Sequence, residues 1–246
     1  APAVTALLRA ELIKLRTTRT FAAFVAVAAG LSLLIVVLVT ALGDSFEDED
    51  LRTLLTIDAT SFFISLLGAI GVTGEWRHRT ITSSLLAAPD RARFLVAKVL
   101  AYAAAGAVLS LIVTLSVAAV GAAILSSRDE GSLTLDIVTD VLWRNALVAA
   151  LLGGVGVAVG AVVRHQIGAV GILLGAGFMI EPTVLALAPD VGVFLPLSGA
   201  PAGINLAETG VEETELLSPG IAVLVELGWI AGLTALGTAL LRERDL

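Results

Sequence analysis

The chain has 246 residues, of which 57% are hydrophobic and 15% charged, and its mean hydropathy is +0.98. This composition excludes a soluble domain of that size, because several apolar runs reach the length that a helix needs to cross a bilayer. The sequence contains no cysteine, which excludes disulfides, thiolate metal sites and cysteine nucleophiles. The formal net charge of −7 hides an uneven distribution of basic residues along the chain.

Residues 1–20 predict a moderately amphipathic helix at the membrane surface. One helical face carries four apolar residues: Val4, Leu8, Leu12 and Leu15. Four basic residues suit contact with an anionic leaflet: Arg9, Lys14, Arg16 and Arg19. A plain basic flank that only sets the topology explains these charges equally well. The apolar run that follows is longer than that of a typical signal peptide, so we expect a retained anchor.

Six apolar runs of membrane-spanning length lie at residues 21–42, 57–73, 94–125, 141–163, 167–188 and 219–241. They predict a single all-α transmembrane domain over residues 1–246. Between the fifth and sixth runs, an apolar stretch is interrupted by four prolines: Pro182, Pro189, Pro196 and Pro201. No single helix can cross such a stretch, so residues 189–218 are predicted to form a broken, re-entrant segment on the outer side.

Residues 74–93 form a basic, polar stretch between two very apolar runs, and we predict a cytoplasmic loop there. Ile81 and Leu85 lie four residues apart, so they share a helical face, with Leu86 beside them. Pro89 ends this short amphipathic helix. The helix either lies flat on the lipid head groups or docks into another protein, and its periodicity does not distinguish the two.

The positions of the 15 basic residues support six spans with both termini in the cytoplasm. The inner side holds twelve of them: Arg9, Lys14, Arg16, Arg19, Arg77, Arg79, Arg91, Arg93, Lys98, Arg164, Arg242 and Arg244. The outer side holds three: Arg52, Arg128 and Arg144. Acidic runs at residues 43–50 and 126–140 also suit the outside. Lys98 indicates that the first turns of the third span project into the cytoplasm.

Glycines recur four residues apart in three pairs: Gly156 and Gly160, Gly171 and Gly175, and Gly228 and Gly232. Such pairs let helices approach closely. For each pair we expect a contact within the chain rather than between subunits.

The sequence lacks the motifs of several enzyme classes. No Gly-x-x-x-x-Gly-Lys-[Ser/Thr] occurs, so the chain is not expected to bind ATP in a P-loop. No Ser/His/Asp or His-Glu-x-x-His arrangement suggests hydrolysis. His78 and His165 are each flanked by Arg, which disfavours a metal site. We therefore expect no catalytic residue, bound cofactor, metal or nucleic acid on this chain.

Three charged residues are predicted to lie in the outer third of the membrane: Arg144, Glu181 and Glu226. Charges at such depth are costly and are often paired or functional. We favour a structural pair between Arg144 and one of the two carboxylates, and predict that Glu181 and Glu226 line or brace an outer gate. On that hypothesis, Glu→Gln at either position reduces stability or transport, and Arg144→Ala resembles one of these variants.

Three stretches together resemble the type-2 ATP-binding-cassette (ABC) exporter permeases, and the likeness covers the whole chain. Residues 11–17, with Glu11, Lys14 and Arg16, resemble the amphipathic N-terminal helix of that family. Residues 74–98 resemble its loop between the second and third spans, and residues 241–246 its C-terminal ending. Arg79 stands where the family is expected to have a small residue, often Gly.

The resemblance implies that the short helix in the loop is a coupling helix seated in a groove of an ATPase. Eight residues are implied at that contact: Glu75, Arg77, Arg79, Ile81, Leu85, Leu86, Arg91 and Arg93. The implied partners are two cytoplasmic ABC ATPase subunits, which bind ATP and Mg²⁺, and a second copy of this permease or a close homologue. The implied function is export across the membrane. The apolar spans suit a hydrophobic or amphipathic substrate, such as a lipid, lipopeptide or drug, and the composition, rich in Ala, Val, Leu and Gly with Arg in excess of Lys, suits a bacterial plasma membrane protein.

Two other functions stay open at this point. One is a non-transporting membrane module that uses an ABC ATPase for signalling or for lipid release. The other is a membrane enzyme or scaffold without an ATPase, although the missing catalytic motifs argue against the enzyme.

Overall fold

A computed structural model describes residues 4–42, 48–56, 58–88, 90–128, 134–206 and 215–242. Several predicted features lie outside these ranges: most of the acidic run at 43–50, Pro89, the polar residues 129–133, the acidic residues Glu208, Glu212 and Glu213, and the ending 243–246. The described residues contain helices and turns but no strand.

The first half of the chain forms helices α1 (Val4–Thr17), α2 (Arg19–Leu42), α3 (Asp48–Thr56), α4 (Thr60–Arg77), α5 (Ile81–Ala87) and α6 (Arg91–Arg128). The second half forms α7 (Leu135–Val163), α8 (Gln166–Gly175), a π-helical turn (Ala176–Ile180), α9 (Glu181–Leu187), α10 (Pro189–Gly192), α11 (Gly199–Asn205) and α12 (Pro219–Arg242). Within the described ranges, six helical stretches are long and apolar enough to cross a membrane. The prediction of an all-α, multi-pass membrane protein is therefore confirmed at that level.

Helix α4 extends four residues beyond the predicted span and ends in a tight reversal. Thr80 N–H bonds to the Glu75 carbonyl at 2.9 Å, and Arg79 N–H to the Trp76 carbonyl at 3.2 Å. This pair of bonds is the Schellman motif, which needs a left-handed residue at the position of Arg79. Arg79 has φ 56°, a conformation that favours glycine. The backbone therefore explains why a small residue is expected there.

Helix α7 forms the centre of the bundle. Of its apolar stretch 72% is buried, against 17% for α2 and 22% for α12. A Cβ on Gly156 would lie 1.9 Å from the Ser65 carbonyl oxygen, so only glycine lets α7 and α4 approach so closely. A Cβ on Gly160 would lie 2.8 Å from the Ala69 carbonyl oxygen. The expected contact within the chain is thus confirmed for this glycine pair.

The same expectation is wrong for the other two glycine pairs. A Cβ on Gly171, Gly175, Gly228 or Gly232 would meet no atom of the described chain within 4 Å. The first of these pairs belongs to α8 and the second to α12, both of which pack on the bundle along one side only.

The fifth span is interrupted, as its proline predicts, but by a wide turn rather than a simple bend. Pro182 has no N–H to donate to the preceding turn. The N–H of Glu181 bonds instead to the carbonyl of Ala176, five residues earlier, within the π-helical turn. Helix α9 then continues from Glu181, and the residues up to Asn205 form α10, turns and α11.

Polar contacts bring several helix ends together at one end of the bundle, called here the basic end. The Arg77 guanidinium donates to the Gln166 side chain at 3.1 Å, and that of Arg164 lies 5.2 Å from the centre of the Trp76 ring. Arg91 donates to the carbonyl of Leu241. The basic end therefore comprises the ends of α4, α7 and α12 and the beginnings of α6 and α8.

Candidate functional site

Lys98, in the second turn of α6, lies inside the basic end of the bundle. Its side chain is only 1% exposed, and its ammonium donates to Glu11 Oε2 and to Glu75 Oε1, each at 2.7 Å. A buried ammonium is tolerable only when opposite charges and hydrogen bonds compensate for lost hydration. Lys98 is therefore not a solvated charge, because two carboxylates enclose it, and the position of these first turns relative to the membrane stays a prediction.

Lys14 closes this arrangement from α1. Its ammonium donates to Glu11 Oε1 at 2.7 Å and to Glu75 Oε1 at 3.0 Å, while about half of its side chain (52%) stays exposed. Glu11, Lys14, Glu75 and Lys98 are named here the ion cluster. Two carboxylates and two ammonium groups alternate in it, so its net charge is zero when all four are ionised.

The two α1 members of the ion cluster have pKa values that keep them charged. Burial raises the pKa of Glu11, but the Lys98 charge and the hydrogen bonds from Lys14 and Lys98 outweigh it, so the pKa lies below the ordinary 4.5. Burial lowers the pKa of Lys14, but the hydrogen bonds and charges of Glu11 and Glu75 raise it above the ordinary 10.5. Both groups are therefore ionised at neutral pH.

The ion cluster fixes α1 against the membrane helices. It joins α1 to the end of α4 and the beginning of α6, which are distant in sequence. Of the apolar face predicted for α1, Leu15 is buried against the bundle, whereas Leu12 is 37% exposed. Glu11 also faces the bundle, where it binds Lys98.

The short helix α5 packs on the chain's own core. Ile81 is 4% and Leu85 7% exposed, and both belong to an apolar cluster that includes Leu15, Phe94 and Leu241. The prediction that Ile81 and Leu85 present an apolar face to a partner protein or to lipid is therefore corrected. They are covered by α1, α6 and α12, which the local periodicity of α5 cannot reveal.

A different set of side chains is available on the outside of the basic end. Leu86 is 81% exposed, and Arg77, Arg79 and Arg93 are also exposed. Arg93 pairs with Asp90 at 2.9 Å. Glu75 is only 8% exposed, and Arg91 is half-buried on the Leu241 carbonyl, so neither extends freely from the surface. Arg16, the remaining predicted residue of the interfacial helix, is exposed.

At the opposite end of the bundle, Arg144 has a different partner from the one predicted. Its Nε donates to Asp140 Oδ1 at 3.0 Å, and its terminal nitrogen donates to the Ile204 carbonyl at 2.7 Å. Arg52 also pairs with Asp140. The predicted pair of Arg144 with Glu181 or Glu226 is therefore wrong, since Asp140, one helical turn before it on α7, already binds it.

Glu181 holds the segment between the fifth and sixth spans. Its Oε2 accepts hydrogen bonds from Leu197 N–H and Ser198 N–H, each at 2.8 Å, and from the Ser198 hydroxyl at 3.0 Å. Three donors on one carboxylate oxygen compensate for its burial without a cation. Glu181 thereby ties α9 to the turn that precedes α11.

Glu226, on α12, is enclosed in a very different way. It is 0% exposed, and neither carboxylate oxygen has a hydrogen-bond partner among the described residues. Ala222, four residues before Glu226 on α12, belongs to an apolar cluster with Val148, Leu152 and Ile204. Burying a carboxyl group without a hydrogen-bond partner costs free energy, so Glu226 is expected to lower the stability of the fold.

Sequence reasoning missed the ion cluster as a unit, although two signals pointed towards it. Glu11 lies on the same helical face as Leu8 and Leu15, an unusual position for a carboxylate. Lys98 is the one charge in a long apolar run. Their pairing requires a contact across 87 residues of sequence, which no local pattern specifies.

The fold and its apolar surface define a helical, multi-pass membrane protein. No protein-family model and no curated protein matches this chain.

Proposed function

We propose that this chain is the membrane subunit of an ABC exporter. Two separate cytoplasmic ATPase subunits bind ATP and Mg²⁺, and a second copy or a close homologue completes the membrane part. The exported substrate is hydrophobic or amphipathic. The basic end faces the cytoplasm of a bacterial cell, and the order of the resembling sequence stretches along the six spans supports this assignment.

One observation carries the proposal: the inner face of the short helix α5 packs on the apolar core at the basic end of the bundle. The Schellman turn joins it to α4, and Ile81 and Leu85 bury its inner face in the core. The ion cluster braces that core through α1. A force applied to the outer face of α5 would therefore reach the membrane helices through this core and the turn at the end of α4, as coupling to an ATPase requires.

The structure also changes which residues would contact the ATPase. Leu86 and the exposed hydroxyl residues Thr82 and Ser83 occupy the outer face of α5. Arg77 and Arg79 flank this face. Ile81, Leu85 and Glu75 act instead by keeping α5 in place.

Co-purification of the ATPase tests the proposal with a substitution on the outer face of α5. Leu86→Asp places a charge on an 81% exposed apolar residue, so the fold should survive while association with the ATPase falls at least tenfold. Leu135→Asp is the matched control, because Leu135 is 83% exposed at the opposite end of the bundle. A stoichiometric ATPase complex with Leu86→Asp, or equal loss with Leu135→Asp, contradicts the assignment.

A second measurement distinguishes transport from the non-transporting function. Proteoliposomes that contain the permease and its ATPase should hydrolyse ATP faster when an amphipathic substrate is added. Hydrolysis that responds to no such substrate favours signalling or lipid release instead.

A further inference from the structure

Two cavities meet beside α1 at the basic end. The first, called here the polar cavity, has a volume of about 590 Å³, within the range of small-molecule sites. Its walls combine polar residues with apolar ones, among them Lys14, Thr20, His78, Ser84, Phe21 and Ile70. A cavity that is polar on one side and apolar on the other suits an amphipathic molecule.

The second cavity, called here the apolar groove, runs along α2 and has a volume of about 480 Å³. Its walls include Val25, Ala26 and Ala29 of α2 and Ala105 of α6. Leu15 and Phe21 line both cavities, so the groove begins where the polar cavity ends. The small alanine side chains leave a channel of the kind that a hydrocarbon chain fills.

The ion cluster in the wall of the polar cavity is neutral as a whole, and Arg16 beside the groove adds one positive charge, so the exposed charged side chains of the two cavities are basic. Glu11 and Glu75 line the polar cavity, but their side chains are only 8% and 10% exposed and are bound to Lys98. Lys14, which lines the same cavity, is 52% exposed, and the exposed Arg16 lines the groove. An anionic group is therefore the better electrostatic match for the mouth of the cavity.

We propose that the polar cavity and the apolar groove together bind one anionic phospholipid from the leaflet at the basic end. Its phosphate lies beside Lys14, its polar head group contacts the hydroxyl side chains, and one acyl chain occupies the groove past Leu15 and Phe21. Such a lipid would fill the space that is left between α1 and the membrane helices beside the ion cluster. This site requires neither transport nor an ATPase, so it goes beyond the proposed function.

Gly74 provides a clean way to close the polar cavity. It lines that cavity, and a Cβ at this position would meet no atom within 4 Å. The Cβ of Gly74→Leu therefore lies in open space, its side chain should extend into the cavity, and the four residues of the ion cluster are kept. Gly171→Leu is the matched control, because Gly171 is an exposed helical glycine with equally open space and lines neither cavity.

Binding is measured by native mass spectrometry of the purified chain, titrated in detergent with dioleoyl phosphatidylglycerol or dioleoyl phosphatidylcholine. The unaltered chain should bind one phosphatidylglycerol at least tenfold more tightly than phosphatidylcholine. Gly74→Leu should weaken that binding at least tenfold, and Gly171→Leu should leave it unchanged. Lys14→Met should abolish the preference for phosphatidylglycerol while retaining the weaker binding.

A second blocking variant tests the same site in case Gly74→Leu does not fold. Ala26→Phe narrows the apolar groove from α2 and should give the same loss by an independent route. The proposal is overturned if both blocking variants bind phosphatidylglycerol like the unaltered chain, or if the two lipids bind equally. It is also overturned if inorganic phosphate displaces the lipid at equimolar concentration, because the site would then be specific for free phosphate. No ATPase is present, so none of these results bears on the exporter assignment.

Discussion

Lys98 is the member of the ion cluster that costs the most free energy to bury as a charged group, because its ammonium is fully enclosed. Removing a buried member of an ion pair leaves its partners charged and dehydrated, at a cost of about 3–5 kcal/mol. An exposed ion pair contributes at most about 1 kcal/mol. Lys98 and Lys14 bind the same two carboxylates but differ in exposure, 1% against 52%. Substituting each lysine therefore compares the loss of a buried ion pair with the loss of an exposed one.

Lys98→Met should lower the free energy of unfolding by about 3–5 kcal/mol, because Glu11 and Glu75 then share one half-exposed cation. Lys14→Met should lower it by about 1 kcal/mol or less. The measurement is unfolding of the purified chain in detergent. Adding Glu11→Gln to Lys98→Met restores neutrality and should recover part of the loss. Equal effects of the two lysine substitutions would show that burial of Lys98 is not what matters.

The pKa shifts in the ion cluster define the pH range over which it holds α1. The folded-state pKa of Glu11 is lowered, so its contribution is full above about pH 4.5 and is lost as pH falls through the folded value. The folded-state pKa of Lys14 is raised, so its contribution is full below about pH 10.5 and is lost as pH rises through the folded value. Between these limits α1 does not respond to pH through these two groups.

At the scale of elements, α9 and α12 each carry a buried glutamate, and the two differ in their hydrogen bonding. Glu181 accepts three hydrogen bonds, whereas Glu226 accepts none among the described residues. The sequence alone predicted one role for both residues. The structure separates them, and the same substitution at each should have opposite results.

Glu181→Met should lower the free energy of unfolding by about 2 kcal/mol or more, because two backbone N–H groups lose their acceptor. Glu226→Met should leave it unchanged or raise it by about 1–3 kcal/mol, because an unsatisfied carboxyl is replaced by an apolar group of similar size. Fluorescence of Trp229 can report the unfolding, since its indole donates to the Phe194 carbonyl in this segment at 2.9 Å. Destabilisation by Glu226→Met would mean that Glu226 has a partner outside the described residues.

The contrast between Arg144 and Lys98 shows which parts of the site could be predicted. Asp140 and Arg144 are four residues apart, a spacing readable from the sequence once α7 is known to begin at Leu135. The apolar run itself begins at residue 141, so hydropathy predicts Asp140 in the loop before it. Thr134, whose hydroxyl accepts from Ile137 N–H, is the N-cap that would have corrected the boundary. Lys98 has no such local signal, because its partners lie on other helices.

At the scale of the whole molecule, hydropathy was sufficient to predict six membrane-length helices, because a bilayer imposes one length and one composition on every span. Which helices pack against each other is harder to predict from the sequence. Glycines of α7 predicted its contact with α4, yet glycines at the same spacing on α8 and α12 meet nothing in the chain. The four-residue spacing of two glycines does not show whether another helix of the same chain packs against them.

The orientation of the bundle is open to a direct test, since the sequence contains no cysteine to interfere. The positive-inside bias predicts that the basic end is cytoplasmic. Single cysteines at Leu42 or Leu135, which are 77% and 83% exposed at the opposite end, should react with a membrane-impermeant maleimide in intact cells. Cysteine at Thr82 should react only after the membrane is opened. The reverse labelling pattern would show an inverted topology.

The ion cluster also sets an order of events during biosynthesis. Glu11, Lys14 and Glu75 are all translated before Lys98, which belongs to the beginning of the third membrane-length helix. Until that helix emerges, the nascent chain holds two carboxylates and a single ammonium at this position, and α1 lacks the residue that draws Glu11 inward. The contacts of α1 with Lys98 therefore cannot form until the first two spans have been synthesised. The N-terminal helix, although made first, completes its contacts at this end only after the third span has been made.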